Sequence, residues 1–325
     1  MRIAVTGSVA TDHLMTFPGS FTEQLIADKL DRVSLSFLVD GLEIRKGGVA
    51  ANIAFGLGCF GLQPLLVGAV GQDFADYRLW LDAHGVDTSG VLESKKNHTA
   101  RFVCTTDTDG NQIASFYPGA MAEARDIAIE DVAAQAGGVD LVLIGADDPD
   151  AMFRHTAGCL AAGIPFAADP SQQLARMDGD QTRKLVDGAA YLFSNEYELA
   201  MIEQKTGWTA DEIAGRVQVQ ITTLGADGAR VIQAGQPLVT VPSLPGVNAV
   251  DPTGAGDAFR AGFLAGVAWQ LPLERSAQLG CLVAVQVLES FGPQEYQLTP
   301  EAITSRMETA YGADAAKEVA QHLGS

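Results

Sequence analysis

Asp251-Pro252-Thr253-Gly254-Ala255-Gly256-Asp257-Ala258-Phe259 is the stretch around which the rest of this chain can be ordered. Two glycines and an alanine lead into Asp257, and Ala258, Phe259, Ala261, Phe263, Leu264 and Val267 continue at helical spacing. The first N–H groups of a helix have no partner inside it, and its dipole adds partial positive charge there. A Gly-rich turn feeding such a start binds anions, phosphate above all. Asp257 falls in the first turn, beside the anion. A carboxylate there is electrostatically wrong for binding alone, so it points to a base acting on a third group. The plainer reading is a Gly-rich loop whose Asp caps the helix.

Composition narrows the classes. The 325 residues are 47% hydrophobic and 19% charged, ample for a sizeable core and fitting either one large α/β domain or one domain plus a smaller attachment. Forty acidic against 21 basic side chains give a formal charge of -19, which argues against nucleic acid or an anionic membrane as partner. Cys59, Cys104, Cys159 and Cys281 are far apart and show no zinc spacing, as expected of free thiols in a reducing cytoplasm. Neither a targeting segment nor a membrane-length apolar run is visible, so a soluble, cytoplasmic protein is expected.

Ile3-Ala4-Val5 reads as a buried strand ending at Gly7-Ser8, with Asp12 just beyond, where open α/β sheets bind ligands. Asp12 there could accept from substrate hydroxyls or be an ordinary loop carboxylate. From Leu30 to Arg45 the alternation of Val33, Leu35 and Phe37 with Ser34 and Ser36 is strand-like. Gly47-Gly48 opens a helix carrying Asn52, whose amide offers donor and acceptor to a vicinal diol. Thr99–Asp107 and Asn111–Tyr117 form a hairpin around Thr108-Asp109-Gly110. A three-residue loop sets Phe102 opposite Phe116; a two-residue turn would set it against Tyr117. Such rings either pack together or clamp a flat ligand.

These segments, about 12–18, 30–46 and 98–118, interrupt the β-α alternation and predict a small strand-rich lid on one catalytic domain spanning 1–325. The body resumes with Leu141–Ile144, a helix near Pro149–Leu160, then Pro165–Ala168 with Gln172 and Gln173 at a strand's carboxyl end. Asn195 and Glu198 open the helix after Ala190–Phe193, as caps or as holders of hydrated magnesium. Gln220–Gly228 ends another strand in a Gly-bearing turn, and Val231 and Val239 suggest short antiparallel strands. The expected fold is α/β: a doubly wound, mostly parallel sheet flanked by helices, plus the small lid sheet.

Neither G-x-x-x-x-G-K-[ST] nor G-x-G-x-x-G after the first strand is present. What remains is an anion-binding helix start, an adjacent carboxylate, hydroxyl-binding candidates and a lid, the parts that phosphoryl transfer to a hydroxyl requires. Gly47-Gly48-x-x-x-Asn52, Asn195-x-x-Glu198, Thr223-x-Gly225-x-x-Gly228 and Asp251-x-Thr253-Gly254-Ala255-Gly256-Asp257 resemble the ordered motifs of the ribokinase-like (PfkB) carbohydrate kinases. Within them, the stretches at 5–13, 34–40 and 168–173 look like those of the bacterial adenosine kinases.

The resemblance implies ATP-dependent phosphorylation of the adenosine 5′-hydroxyl to give AMP and ADP, a purine-salvage step. It implies Asp257 as base and Gly254, Ala255 and Gly256 as the anion hole. Ser8, Asp12, Ser36, Gly48 and Asn52 would hold the ribose. Phe102 and Phe116 would sandwich the purine, and Gln172 or Gln173 would contact it. Asn195 and Glu198 would serve magnesium and the ATP phosphates, Thr223, Gly225, Asp227 and Gly228 the nucleotide, and Asp251 and Thr253 a monovalent cation such as K+. Lid-to-lid pairing into a homodimer is implied as well. From an ordinary carboxyl pKa of roughly 4, Asp257 is expected to be ionised at neutral pH. Two alternatives stand beside this reading: a kinase of a free sugar such as ribose or fructose, and a nucleoside sensor without turnover.

Overall fold

The computed structural model describes residues 1–25, 32 and 36–324. Thirteen strands occur among them: β1 Ile3–Thr6, β2 Ala10–Thr16, β3 Gly41–Gly47, β4 Leu65–Val70, β5 Asp87–Glu93, β6 Ala100–Thr106, β7 Gln112–Tyr117, β8 Leu141–Ile144, β9 Phe166–Ala168, β10 Tyr191–Asn195, β11 Val219–Thr223, β12 Ala229–Gln233 and β13 Val239–Val241. Nine of them form one sheet in the order β13-β12-β11-β10-β9-β8-β1-β4-β5. From β11 through β5 all neighbours are parallel; β12 and β13 close the far edge antiparallel, where Val231 and Val239 predicted short strands.

Strand periodicity explains why helices cover both faces. Ile3 and Val5 of β1 and Leu141 and Leu143 of β8 join the core under the helices Val49–Cys59, Ala255–Ala268 and Leu273–Leu288. Ala4, Val142 and Ile144, one position out of phase, join the core under Ile129–Gln135, Pro149–Ala162 and Glu196–Thr206. Residues buried on both sides read as unbroken apolar runs, as Leu141-Val142-Leu143-Ile144 does. The helix Ala255–Ala268 is buried almost all round, and Gly262 lets the helix Leu273–Leu288 approach it: a Cβ there would lie 2.7 Å from the Leu279 carbonyl oxygen.

The other four strands form a separate sheet, β3-β2-β6-β7, inserted as β2–β3 between β1 and β4 and as β6–β7 between β5 and β8. The hairpin takes the three-residue loop, with Gly110 at φ 81 and Phe102 paired with Phe116. Residues 36–39 have no regular structure and strand pairing begins at Gly41, so the strand-like alternation from Leu30 is not realised there; Leu38 is 88% exposed. Val33, Ser34 and Leu35 lie outside the described residues. A strand pattern without a neighbouring strand to pair with carries no register.

All four cysteines are free. Among the described residues no helix is long and apolar enough to cross a membrane.

Candidate active site

β1 hydrogen-bonds to β4 on one side and to β8 on the other, so the strand order reverses direction between β1 and β8. A crevice opens past the carboxyl ends of strands at such a point. Ser8 lies just beyond β1 and Ala146 just beyond β8, joined by Ser8 N–H donating to the Ala146 carbonyl at 3.0 Å. Both line a cavity of about 550 Å³, together with Asp12, Gly48, Asn52, Phe116, Met121, Gln172, Gln173, Arg176 and Asp257 among others. Residues scattered from 8 to 257 thus converge because the strands end at one level.

A second cavity, of about 580 Å³, is lined by Thr223 at the end of β11, by Gly225 and Gly228 just beyond it, and by Leu244, Val247 and Phe259. The turn quoted first separates the two. Gly254 and Asp257 border the first cavity; Ala255 and Gly256 border the second. Gly254 has φ 80, and a Cβ on it would overlap Pro293, so only glycine fits the turn. Gly48, at φ 97, has the same constraint against Ser8 and Ala10 backbone, which holds the Asn52 helix hard against β1 and β2.

Asp257 lines the first cavity and is half-buried. Asn52 Nδ2 donates to its Oδ2 at 2.8 Å. A chain of side chains dictates which way that amide points. Trp80 Nε1, a donor only, donates to Gln294 Oε1 at 3.1 Å, which turns Gln294 Nε2 toward Asn52 Oδ1 at 2.9 Å and Tyr77 Oη at 2.6 Å. Tyr77 in turn donates to the Gly47 carbonyl. With Asn52 Oδ1 accepting from Gln294, its NH2 group must face Asp257. The amide expected to meet a diol therefore spends one acceptor and one donor on the protein itself.

Burial pushes the Asp257 carboxyl up to about 7; the Asn52 hydrogen bond and Arg260 oppose this, while Asp169 and Glu198 add to it. The expectation of full ionisation at neutral pH is thus corrected. A composition-based value of roughly 4 ignores desolvation, which favours the neutral acid. Arg260, one turn further along the helix, is 5% exposed. Its Nη2 donates to Asp169 Oδ1 at 2.6 Å, its Nη1 donates to the Gly256 carbonyl at 3.0 Å, and it approaches Glu198 to 4.0 Å. Burial likewise raises Glu198, with Arg260 opposing.

Asn195 and Glu198 form a capping box: Glu198 N–H donates to Asn195 Oδ1, and Asn195 N–H donates to Glu198 Oε2, both at 2.8 Å. Neither lines either cavity, and Asp227 lines neither. Ser36 is exposed in the irregular stretch and outside the cavity. Asp12, Phe102 and Phe116 pair in one row across β2, β6 and β7, so they share a face; Phe116 lines the cavity and Phe102 does not. Pro118 and Met121 hold wall positions there. Burial raises the Asp12 carboxyl, with Arg45 opposing. The Asp251 carboxylate accepts from Thr253 N–H at 2.9 Å and from Arg45 Nη1 at 2.9 Å.

Gln294, Arg260, Arg176 and Met121 were not singled out from sequence. Arg260 left a signal, a lone charge inside the apolar run Ala258–Leu264; Gln294 left none.

Residues 6–300 match the model of the pfkB family carbohydrate kinases. The chain belongs to that family. This pfkB kinase is 26% identical over 310 residues to the nucleoside kinase of Methanocaldococcus jannaschii, covering 94% of this chain and 97% of that one. Its structure superposes on ligand-free Burkholderia thailandensis nucleoside kinase with TM-score 0.86 at 35% identity, over 95% of this chain and 100% of that chain. The same kinase in complex with ADP-inosine matches with TM-score 0.80 at 35% identity, over 96% of each chain. This pfkB kinase is a phosphotransferase with an alcohol group as acceptor, within a family of sugar and nucleoside kinases.

Proposed function

We propose that this kinase phosphorylates the 5′-hydroxyl of a purine nucleoside, adenosine in the first instance, with ATP as donor. One observation carries the reading: the Gly254–Gly256 turn lies between two cavities, with the Asp257 carboxyl on one side only. The nucleoside occupies the cavity of Asp12, Gly48 and Asn52, its ribose against Ser8 and Asp12 and its base against Phe116, with Gln172 and Gln173 at the base edge. Phe102, on the same sheet face, stands next to that base rather than across it. ATP occupies the cavity of Thr223, Gly225 and Gly228. The 5′-oxygen attacks the γ-phosphorus, the bond to the β,γ-bridging oxygen breaks, and the hydroxyl proton passes to Asp257. Backbone N–H groups of the turn take the charge on the transferred group.

No group of three or more metal-ligating side chains occurs among the described residues. Magnesium keeps most of its waters and is held mainly by substrate phosphates plus one or two carboxylates. Glu198, which caps its helix and lines neither cavity, would serve such an ion through the ion's waters, and the ion would neutralise charge on the ATP phosphates. The four-stranded sheet acts as a lid over the nucleoside. Its outward-facing Leu42, Ile44 and Ile113 are 60%, 58% and 48% exposed, an apolar face that a second copy's lid would cover in a homodimer.

A 6-oxopurine nucleoside such as inosine is the second reading. Arg176, a donor only, lines the cavity beside Gln172, and the relative cited above holds ADP and inosine.

An ADP-release assay over adenosine, inosine, guanosine, cytidine and ribose tests these readings. Purine nucleosides should exceed ribose by at least tenfold in kcat/KM. Faster turnover of ribose would overturn the nucleoside reading, and no ADP release with any of the five would favour a sensor. Asp257→Asn should lower kcat by about two to four orders of magnitude with nucleoside binding retained.

A further inference from the structure

The loop before the anion hole is tied down at Asp251, and the tie includes a cation of the protein's own. Asp251 Oδ1 accepts from Thr253 N–H at 2.9 Å, a turn that starts the 251–254 loop. Its Oδ2 accepts from Gly292 N–H at 3.2 Å and from Arg45 Nη1 at 2.9 Å. Arg45 is held in turn by Glu43, which accepts from Nε at 2.7 Å and from Nη2 at 3.0 Å. The guanidinium lies 6.0 Å from the Phe291 ring centroid, and the Arg45 and Asp251 side chains are 16% and 15% exposed. Three segments meet here: the end of β3 on the small sheet, the anion-hole loop, and the 290–293 turn whose Pro293 fills the space a Cβ on Gly254 would need.

A largely buried carboxylate requires a counter-charge. The family resemblance would assign that task at Asp251 to a bound monovalent ion. The residues here do not fit one: three of the carboxylate's acceptor positions are in use, and an alkali ion at the fourth would face a guanidinium already on the same group. We propose that Arg45 is a tethered cation doing the work of a bound monovalent ion: it neutralises Asp251 and fixes the anion-hole loop to the small sheet. The kinase is therefore indifferent to K+. Arg45 also pairs in register with Asp12, so the same side chain links the nucleoside end of the sheet to the loop that receives the phosphoryl group. Arg45 is a positioning residue, since it acts through Asp251.

The inference rests on the kinase reading for its activity arm but not for its thermal arm. Full-length protein is compared in 100 mM KCl and in 100 mM tetramethylammonium chloride. Wild type should show the same melting temperature within about 1 °C, and kcat within about twofold. Arg45→Met should lose about tenfold or more in kcat in tetramethylammonium, and K+ or free guanidinium should restore at least threefold while raising the melting temperature. Arg45→Lys, which keeps the charge, should remain K+-indifferent, and Glu43→Gln should acquire part of the K+ response if Arg45→Met does not fold. Activation of wild type by K+ of fivefold or more, or a K+-dependent rise of several degrees in its melting temperature, overturns the proposal. So does an Arg45→Met protein of wild-type activity in tetramethylammonium. If no substrate turns over, the melting temperatures of wild type and Arg45→Met in the two salts still decide the question.

Discussion

The elevated pKa of Asp257 makes a pH profile the most direct probe of the site. With a pKa of about 7, only about a tenth of the free enzyme carries the ionised base at pH 6, against about 99% for an ordinary carboxyl near 4. Because kcat/KM reports ionisations of the free enzyme, its value at pH 6 should be about one tenth of the plateau, reached above roughly pH 8. Asn52→Leu removes the N–H that favours the ionised form. A hydrogen bond to a charged group contributes about 1.5–3 kcal/mol, so the acid limb should move up by about one to two pH units. That shift assigns the limb to Asp257 rather than to Asp12, which Asn52 does not bond. The assay is ADP release at sub-saturating nucleoside from pH 5 to 9, with ionic strength held constant. A flat profile down to pH 5.5, or a limb that ignores Asn52→Leu, would refute the reasoning.

Three further outcomes follow from the same geometry. A folded-state pKa raised above the unfolded value means stability is lost as pH rises from about 4 to about 7. Asp257→Asn should therefore be the more stable protein at pH 8, by at most about 4 kcal/mol and less to the extent that cavity water solvates the carboxylate, and the gain should vanish below pH 4 in urea unfolding. Arg260→Met strands Asp169 without its partner and should cost about 3–5 kcal/mol in the same measurement; a cost under 1 kcal/mol would mean the pair is not buried as described. Phe116→Ala should weaken nucleoside binding by about 1–3 kcal/mol by calorimetry, and Phe102→Ala by clearly less; equal losses would place both rings on the base.

Much of the fold was legible because its signals are local. The β-α alternation, the helix start after Gly254 and the hairpin loop at Gly110 each depend on a few neighbouring residues and their φ preferences. The hairpin register was only narrowed to two choices, a three-residue or a two-residue loop; the structure takes the three-residue loop, and with it the shared face of Phe102 and Phe116. The strand-like alternation from Leu30 failed from Ser36 to Val39: Phe37 packs on the rings of Phe17 and Phe21, but pairing with β2 begins only at Gly41, and alternation fixes a strand only where a neighbouring strand supplies the ladder. Among site residues, those in contiguous motifs were legible. Asn52 was named without the partners that set its orientation: Trp80, Tyr77 and Gln294 reach it from 25 to 242 positions away, and a buried glutamine has no sequence signature.

Sequence by itself determined that a glycine turn opens a helix beside an acidic side chain, and that three more motifs follow an order shared with a kinase family. Tertiary structure decided what that turn separates. Only the packed sheet brings the ends of β1, β8 and β9 to one level and makes a cavity on each side of Gly254–Gly256. Only burial moves Asp257 to about 7, because the cost of ionising a group depends on every atom that displaces water around it. Only the approach of β3 to the 251–254 loop sets Arg45 on Asp251, a contact between residues 206 positions apart.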